Sequence, residues 1–322
     1  MKTILVKGPA LSRSGYGEQT RFALRALRAY ENRFNILLVN IPWGQTGWIA
    51  ESGEERDWYD QILAKGHVHM QQQLPVDISL QVTIPNEWEK IAPINIGYTA
   101  GIETTKVAPH WIEKSRLMDK IIVVSNHSKN VFNNTVYQGQ IEQTGEEVEF
   151  RNQTPIEVVN YPVRSLKKEN LDIKLDYDFN FLAVAQMGPR KNIPNTVYWF
   201  IDEFHNEEVG LVLKVNTANC STSDYIRTQR TLKTITDKYP DRKCKIYLLH
   251  GDLTLEEMNS LYANKKIKSF VTFTHGEGFG MPIFEAAYHG LPVIAPAWSG
   301  QNDFLHAYVK VGKRKKTQRA SR

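Results

Sequence analysis

The sequence predicts an α/β protein of two Rossmann-like domains facing one another across a cleft. Three observations carry that reading. At 322 residues the chain is long for one domain and suits two of about 150 each. Residues 270–296, FVTFTHGEGFGMPIFEAAYHGLPVIAP, read as strand, glycine loop, helix, strand, which is half of a doubly wound domain. Near the start, residues 3–30 show the same order of strand, glycine-containing turn and helix. The domains are expected over 1–165 and 179–309, with a linker at 166–178 and a basic tail at 310–322.

Taken in order, residues 3–6 form a β-rich opening. Ser12-Arg13-Ser14-Gly15-Tyr16-Gly17 then turns the chain into a helix expected over 18–30, with Phe22, Leu24 and Leu27 on its faces. Gly15 and Gly17 would let backbone approach a ligand in the cleft, although a GxG after a strand also serves tight packing. A strand follows at 34–39. Residues 41–66 read as loop with one short helix, and Trp43, Trp48 and Trp58 within them read as core, with stacking on a bound ring as the alternative. His67 and His69 would share one strand face, with no third ligand evident for zinc. Further strands are expected at 77–82, 94–99, 120–124 and 156–159, with a polar loop or surface hairpin at 136–152. From 164 to 178 the chain is charged and poor in core pattern, as a hinge would be.

The second domain opens with a strand at 180–185, followed by Arg190 and Lys191 before a helix rich in Trp199, Phe200 and Phe204. Strands at 210–215 and 245–250 come next, and Gly251-Asp252 reads as a base or ribose contact. Asp176-Tyr177-Asp178 matches a D-x-D metal pattern, but it precedes its strand instead of following it and is read as a false match. In the glycine stretch, 270–274 is a strand, Pro282 suits a helix first turn, the helix runs to Gly290, and 291–296 returns as a strand.

Two cations at the carboxyl end of a parallel strand can neutralise a pyrophosphate and stabilise charge on a leaving nucleotide, Arg by a planar fork and Lys as a point charge. A helix starting near Met281 turns its free N–H groups toward the loop contents, and a phosphate is the natural occupant. Glu285, one turn in, can accept hydrogen bonds from neutral hydroxyls. Glu277 lies in the loop itself, with Gly278, Phe279 and Gly280 beside it. The physical picture is a sugar nucleotide.

Composition is ordinary for a globular chain, 41% hydrophobic and 11% aromatic, and no run approaches 18 uninterrupted apolar residues. With no signal peptide evident and two cysteines in no framework spacing, the expected location is cytoplasmic, with peripheral membrane attachment open. The net charge of +5 is uneven. Seven cations and no acid lie in 310–322, so residues 1–309 carry −2. The tail reads either as a contact for a polyanion, DNA or an anionic membrane, or as solvated chain.

The pair Glu277 and Glu285, set in GEGFGMPIFEAAYHGLPVIAP and followed by Trp298, Ser299, Gly300 and Asp303, resembles the E-x7-E signature of retaining glycosyltransferases of GT-B architecture, in the group 1 or family 4 class. The SGYG turn at 14–17, the passage from Gly97 through Glu103 to Trp111, and the Arg190-Lys191 pair are similar to the same class, so the resemblance spans residues 3–308. It implies a hexosyltransferase type of enzyme moving a sugar from a nucleoside diphosphate sugar, a UDP- or GDP-sugar, to an acceptor hydroxyl on a glycan, a lipid-linked sugar or a hydroxylated DNA base. No metal and no cofactor beyond that donor is implied. Glu277 would contact the transferred sugar, Glu285 the ribose, and Arg190 and Lys191 the diphosphate. Many members place a His where this chain has Glu103, so Glu103 is read either as a polar group facing the reaction centre or as a capping or salt-bridged residue. After Phe304 such proteins add a further unit and a closing helix, so the C-terminal end reads as shortened. The rival reading is a nucleotide-sugar-binding module that does not turn over.

Overall fold

The computed structural model describes residues 1–140, 147–164, 167, 169 and 171–306. The basic run 310–322, three positions of the expected linker and the last three residues of the expected second domain lie outside these. The chain runs β1 (Lys2–Gly8), α1 (Gly15–Arg28), β2 (Phe34–Asn40), α2 (Glu54–Gln71), β3 (Ile78–Val82), β4 (Ile94–Thr99), α3 (Pro109–Ser115), β5 (Lys120–Val123), α4 (Asn126–Asn134), β6 (Val136–Gln140), β7 (Glu147–Arg151) and β8 (Ile156–Val158). It continues with β9 (Asn180–Gln186), α5 (Ile193–Phe204), β10 (Gly210–Asn216), α6 (Thr222–Thr236), β11 (Lys245–Leu248), α7 (Leu255–Tyr262), β12 (Ile267–Val271), α8 (Met281–Tyr288) and β13 (Val293–Ile294).

Two parallel sheets result, ordered β2-β1-β3-β4-β5-β8 and β11-β10-β9-β12-β13, with β6 and β7 as a separate antiparallel hairpin. Their central strands are apolar on both faces because helices cover both. Leu211, Val212 and Leu213 of β10 are fully buried, as are Leu5 and Val6 of β1. Each such side chain contributes about 1.5–3 kcal/mol by leaving water. Helix starts are fixed locally: the Ser14 hydroxyl accepts from Gly17 N at 3.0 Å, and Thr254 and Glu257 form a reciprocal capping box on α7. Each sheet reverses strand order at one point, between β1 and β3 in the first and between β9 and β12 in the second. Ligand crevices of such sheets open at the carboxyl ends flanking that reversal.

Several expectations are corrected. The SGYG turn is already helix: Gly15 and Gly17 lie in the first turn of α1. The short helix expected within 41–66 is an 18-residue helix over 54–71, so His67 and His69 sit on a helix and not on a strand face. Of the three tryptophans only Trp58 is core, while Trp48 is exposed and Trp43 half-buried. The return strand at 291–296 shrinks to Val293–Ile294. The expected hinge is not bare of core residues: Leu175 is buried with Leu182 and Val212, and Leu171 and Ile173 pack against the same cluster. Asp176, in the D-x-D match, is held by Lys245 at 2.9 Å and Tyr247 at 2.9 Å ahead of β9.

The loop after β12 is shared by both halves. The Ser125 hydroxyl, capping α4, donates to the Gly278 carbonyl at 2.6 Å. A Cβ on Gly278 would fall inside the contact radius of the Ala100 carbonyl oxygen, so only glycine permits this approach. The Phe279 ring packs with Tyr161, Phe284 and Phe304 at centroid distances of 5.1, 5.2 and 5.0 Å. Asp303 accepts from Asn126 N at 2.8 Å and from Asn160 Nδ2 at 3.1 Å, placing a carboxylate at the positive end of α4.

Candidate active site

A cavity of about 1070 Å³ lies where the carboxyl ends of both sheets meet, lined from the first half by the starts of α1 and α2 and from the second by the loops after β9, β10 and β12 and by α8. The loops after β9 and β12 are stitched together. His275 N donates to the Arg190 carbonyl at 2.8 Å, and Asn192, which ends its own turn in the left-handed region at φ 56°, donates through Nδ2 to the Phe273 carbonyl at 3.1 Å. Glu277 is then fixed from behind. Its N–H donates to the Ser299 hydroxyl at 3.0 Å, and its carbonyl accepts from Gly300 N at 2.9 Å.

This frame brings four charges together. Glu277, with its side chain only 8% exposed, lies 2.6 Å from Lys191 Nζ and 3.1 Å from Arg190 Nη1. Arg190 Nη2 reaches across to Glu103 at 2.7 Å and Nη1 donates to the Gly276 carbonyl at 2.6 Å. Burial pushes the Glu277 carboxyl up, but the Lys191 and Arg190 charges overcome it and hold the group below its ordinary value. Glu103 goes the other way: its burial outweighs Arg190, and the Glu277 charge adds to the rise. Two cations and two carboxylates form one ionic network across the cleft.

Deeper along the wall, Glu285 accepts from the buried Tyr262 hydroxyl at 2.9 Å, and burial pushes its carboxyl up to about 7. Its own backbone carbonyl is 2.8 Å from His289 Nδ1, and the His289 ring stacks on Tyr262 at 5.5 Å. Gly280, at φ 92°, hands the chain to α8, whose second residue is Pro282.

The predicted residues therefore divide. Glu103, Arg190, Lys191 and Glu277 meet, and Gly15, Gly278, Phe279, Gly280 and Glu285 border the same cavity. Gly17 is instead buried against the Ser12 carbonyl, where a Cβ would clash, so its glycine serves packing. Asp252 turns toward Arg13 of the first half at 3.6 Å. Lys214 and Asn216, which the sequence reading missed, also line the cavity. Lys214 Nζ donates to the Gly251 carbonyl at 2.6 Å, and burial lowers its pKa. The available signal was a lysine near the carboxyl end of an otherwise apolar strand, GLVLKVN. Among the described residues no group of three or more His, Cys, Asp or Glu is placed to hold a metal ion, and no helix is long and apolar enough to cross a membrane.

No family model and no curated protein matches the sequence. Solved structures do match in fold. The trehalose-6-phosphate synthase studied with bisubstrate glycomimetics for glycosyl transfer with retention superposes with a TM-score of 0.55 at 11% identity, over 93% of this chain and 85% of that one. An E. coli structure described as trehalose-6-phosphate bound with UDP-2-fluoro glucose gives 0.51 at 9% identity, over 92% and 84%. The lipopolysaccharide outer core galactosyltransferase WaaB, in its apo form, gives 0.52 at 11%, over 92% and 80%. At these identities the likeness is one of fold, and that fold is GT-B: two Rossmann-like halves with a cleft between them.

Proposed function

We propose that the chain is a retaining glycosyltransferase of the E-x7-E, family 4 type, moving a hexose from a nucleoside diphosphate sugar to an acceptor hydroxyl in the cleft. The observation that carries this is the convergence of Arg190, Lys191, Glu277 and Glu103 on one side of the cavity, with Glu285 on α8 farther along it. In this reading Glu285 accepts from ribose hydroxyls, the α8 start and the Arg190-Lys191 pair take the diphosphate, and Glu277 faces the transferred sugar. The donor phosphate departs toward the two cations while the acceptor enters from the same face. Its proton passes to the departing phosphate oxygen, so the anomeric configuration is kept without a protein nucleophile. Because one neighbour is described as bound with UDP-2-fluoro glucose, a UDP-sugar is the first donor to try and a GDP-sugar the second.

Glu277 pairs with both cations and Glu103 with Arg190. An incoming diphosphate must share or displace these carboxylates, which makes its binding an exchange of ionic partners. Calorimetry with UDP, GDP and their sugars tests the assignment, together with turnover measured by mass spectrometry. The expected result is binding of a nucleoside diphosphate that weakens at least tenfold in Lys191→Ala, with donor hydrolysis or transfer. Absence of nucleotide binding, or unchanged binding in Lys191→Ala, refutes the site. Tight binding without any turnover makes the chain a binding module instead. We assign the donor role to residues 179–309 and the acceptor role to 1–165. The basic run 310–322 is proposed to contact a polyanion, DNA or an anionic membrane; equal binding of DNA and anionic vesicles by full and truncated chains refutes that.

A further inference from the structure

The lobe of the cavity formed by the first half is crowded with arginine. Arg13, Arg21, Arg25, Arg56 and Arg164 line it against four acids, Glu18, Glu51, Glu55 and Glu103, the last of them paired with Arg190 of the second half. This excess sits in a body, residues 1–309, whose net charge is −2. Two of the five are committed to the scaffold. Arg21 donates to the Ala10 and Ser12 carbonyls at 2.7 and 2.9 Å and pairs with Glu18 at 2.7 Å. Arg25 bridges Glu18 at 2.9 Å and Glu55 at 2.5 Å.

Of the other three, Arg13 and Arg56 are held in place yet remain exchangeable. Arg13 donates to the Trp48 carbonyl at 3.2 Å and Arg56 to the next carbonyl, Ile49, so consecutive peptide groups tether the two guanidinium groups. Their carboxylate partners, Glu51 and Asp252 for Arg13 and Asp60 for Arg56, are 63%, 48% and 52% exposed. Such pairs are worth about 0–1 kcal/mol, and a ligand anion can replace them. Arg164 has no hydrogen bond or ion pair among the described residues, and its charge acts on Glu55, the neighbour of Arg56. A planar guanidinium fork matches phosphate or carboxylate oxygens in pairs.

An aromatic surface lies beside this cluster. The Trp43 ring is half-buried, 4.5 Å from the Tyr16 ring. Tyr16 is itself locked, its hydroxyl 2.7 Å from that of Thr99 and accepting from Gly101 N at 2.9 Å. A rigid apolar ring face bordered by hydroxyls and guanidinium groups suits the CH face of a sugar that carries an acidic group.

We propose that this lobe is an acceptor subsite for a saccharide bearing a phosphate or carboxylate, its ring on Trp43 and its anionic group on Arg13, Arg56 and Arg164. This rests on the glycosyltransferase reading and narrows its acceptor. The test is calorimetry on the full chain, with and without UDP or GDP, against hexose 6-phosphates, hexose 1-phosphates and hexuronates, each beside its neutral parent sugar and beside inorganic phosphate. At least one anionic sugar should bind ten or more times tighter than its neutral parent. Arg164→Gln and Arg56→Gln should each abolish that preference while keeping wild-type nucleotide affinity, and Trp43→Ala should reduce the sugar phosphate to the affinity of inorganic phosphate. If every anionic sugar binds no better than its parent, or if both arginine variants keep the preference, the subsite is refuted. Nucleotide binding that persists in that case leaves the donor assignment standing, whereas loss of both refutes the wider reading.

Discussion

Glu285→Gln separates what this carboxylate costs the fold from what it gives a ligand. In the folded chain burial raises the carboxyl from 4.5 to about 7. The folded state therefore holds a proton that the unfolded state has released between these values. Stability from this group is greatest below pH 4.5, declines as pH rises through the window, and is gone above about 7. The full displacement amounts to about 3 kcal/mol, of which about 2.5 kcal/mol falls between pH 5 and pH 8. Glutamine keeps an oxygen to accept from Tyr262, which now lies 2.9 Å from the carboxylate, and it carries no charge at any pH. Denaturant unfolding at pH 5 and pH 8 should show the wild type losing about 2.5 kcal/mol more than the variant across that interval. If Glu285 holds the ribose as proposed, nucleotide affinity should respond in the opposite sense, because hydroxyls donate best to an ionised carboxylate. Wild-type affinity should climb toward pH 7 by up to tenfold per pH unit and then level off, while the variant should bind more weakly and lack that climb. Parallel stability profiles for the two proteins would refute the buried-acid reasoning, and parallel affinity profiles would refute the ribose role.

Glu277→Gln removes the shared partner of Lys191 and Arg190, so turnover should fall about 10²-fold, equivalent to roughly 2.7 kcal/mol, while nucleoside diphosphate affinity holds or rises; steady-state kinetics beside calorimetry reads both. The same variant should lose about 1–3 kcal/mol of stability in denaturant, since two cations keep their burial and lose a carboxylate. Gly278→Ala should cost about 1–3 kcal/mol and lower turnover, because the added methyl must push the loop off the Ala100 carbonyl; unchanged melting and turnover would show that the two halves do not meet there. Arg190→Lys should weaken diphosphate binding more than a charge-conserving change on the surface would, since one ammonium cannot serve Glu103, Glu277 and the Gly276 carbonyl together.

The strands were legible because parallel sheets covered on both faces leave uninterrupted apolar runs, as in FNILLVN and GLVLKVN. The glycine loop was legible because close backbone approach admits only glycine. The length of helix α2 was underestimated: Gly44, Gly47, Gly53 and Gly66 suggested loop around a short helix, and Gly66 is there because the helix presses on the Leu38 carbonyl. Its start was written in the acidic first turn, Glu54, Glu55 and Asp57, which complements the helix dipole. Arg190, Lys191 and Glu277 could each be named from local pattern. Their pairing, across 86 residues for Lys191 and Glu277, follows from strand order, which no local window contains. The contacts of Glu103 with Arg190 and of Arg13 with Asp252 lie further beyond reach, because they depend on how one half sits against the other.

The placement of Glu277 gives that last dependence a physical consequence. Its backbone is held by Ser299 and Gly300, its side chain by two cations of the second half, and the next residue, Gly278, by the Ser125 hydroxyl of the first half. Arg190 joins the same two bodies through Glu103. Any rotation of one half against the other must therefore strain the loop that carries the proposed sugar contact or break a charge-assisted bond at the proposed diphosphate site. A diphosphate that takes Arg190 from Glu103 would release one tether across the cleft and leave the contacts of Ser125 with Gly278, Asn126 with Asp303 and Arg13 with Asp252 in place. In the proposed donor pose, binding and the relative position of the halves are linked through the Arg190 guanidinium group to the extent that the ligand competes with Glu103 for it.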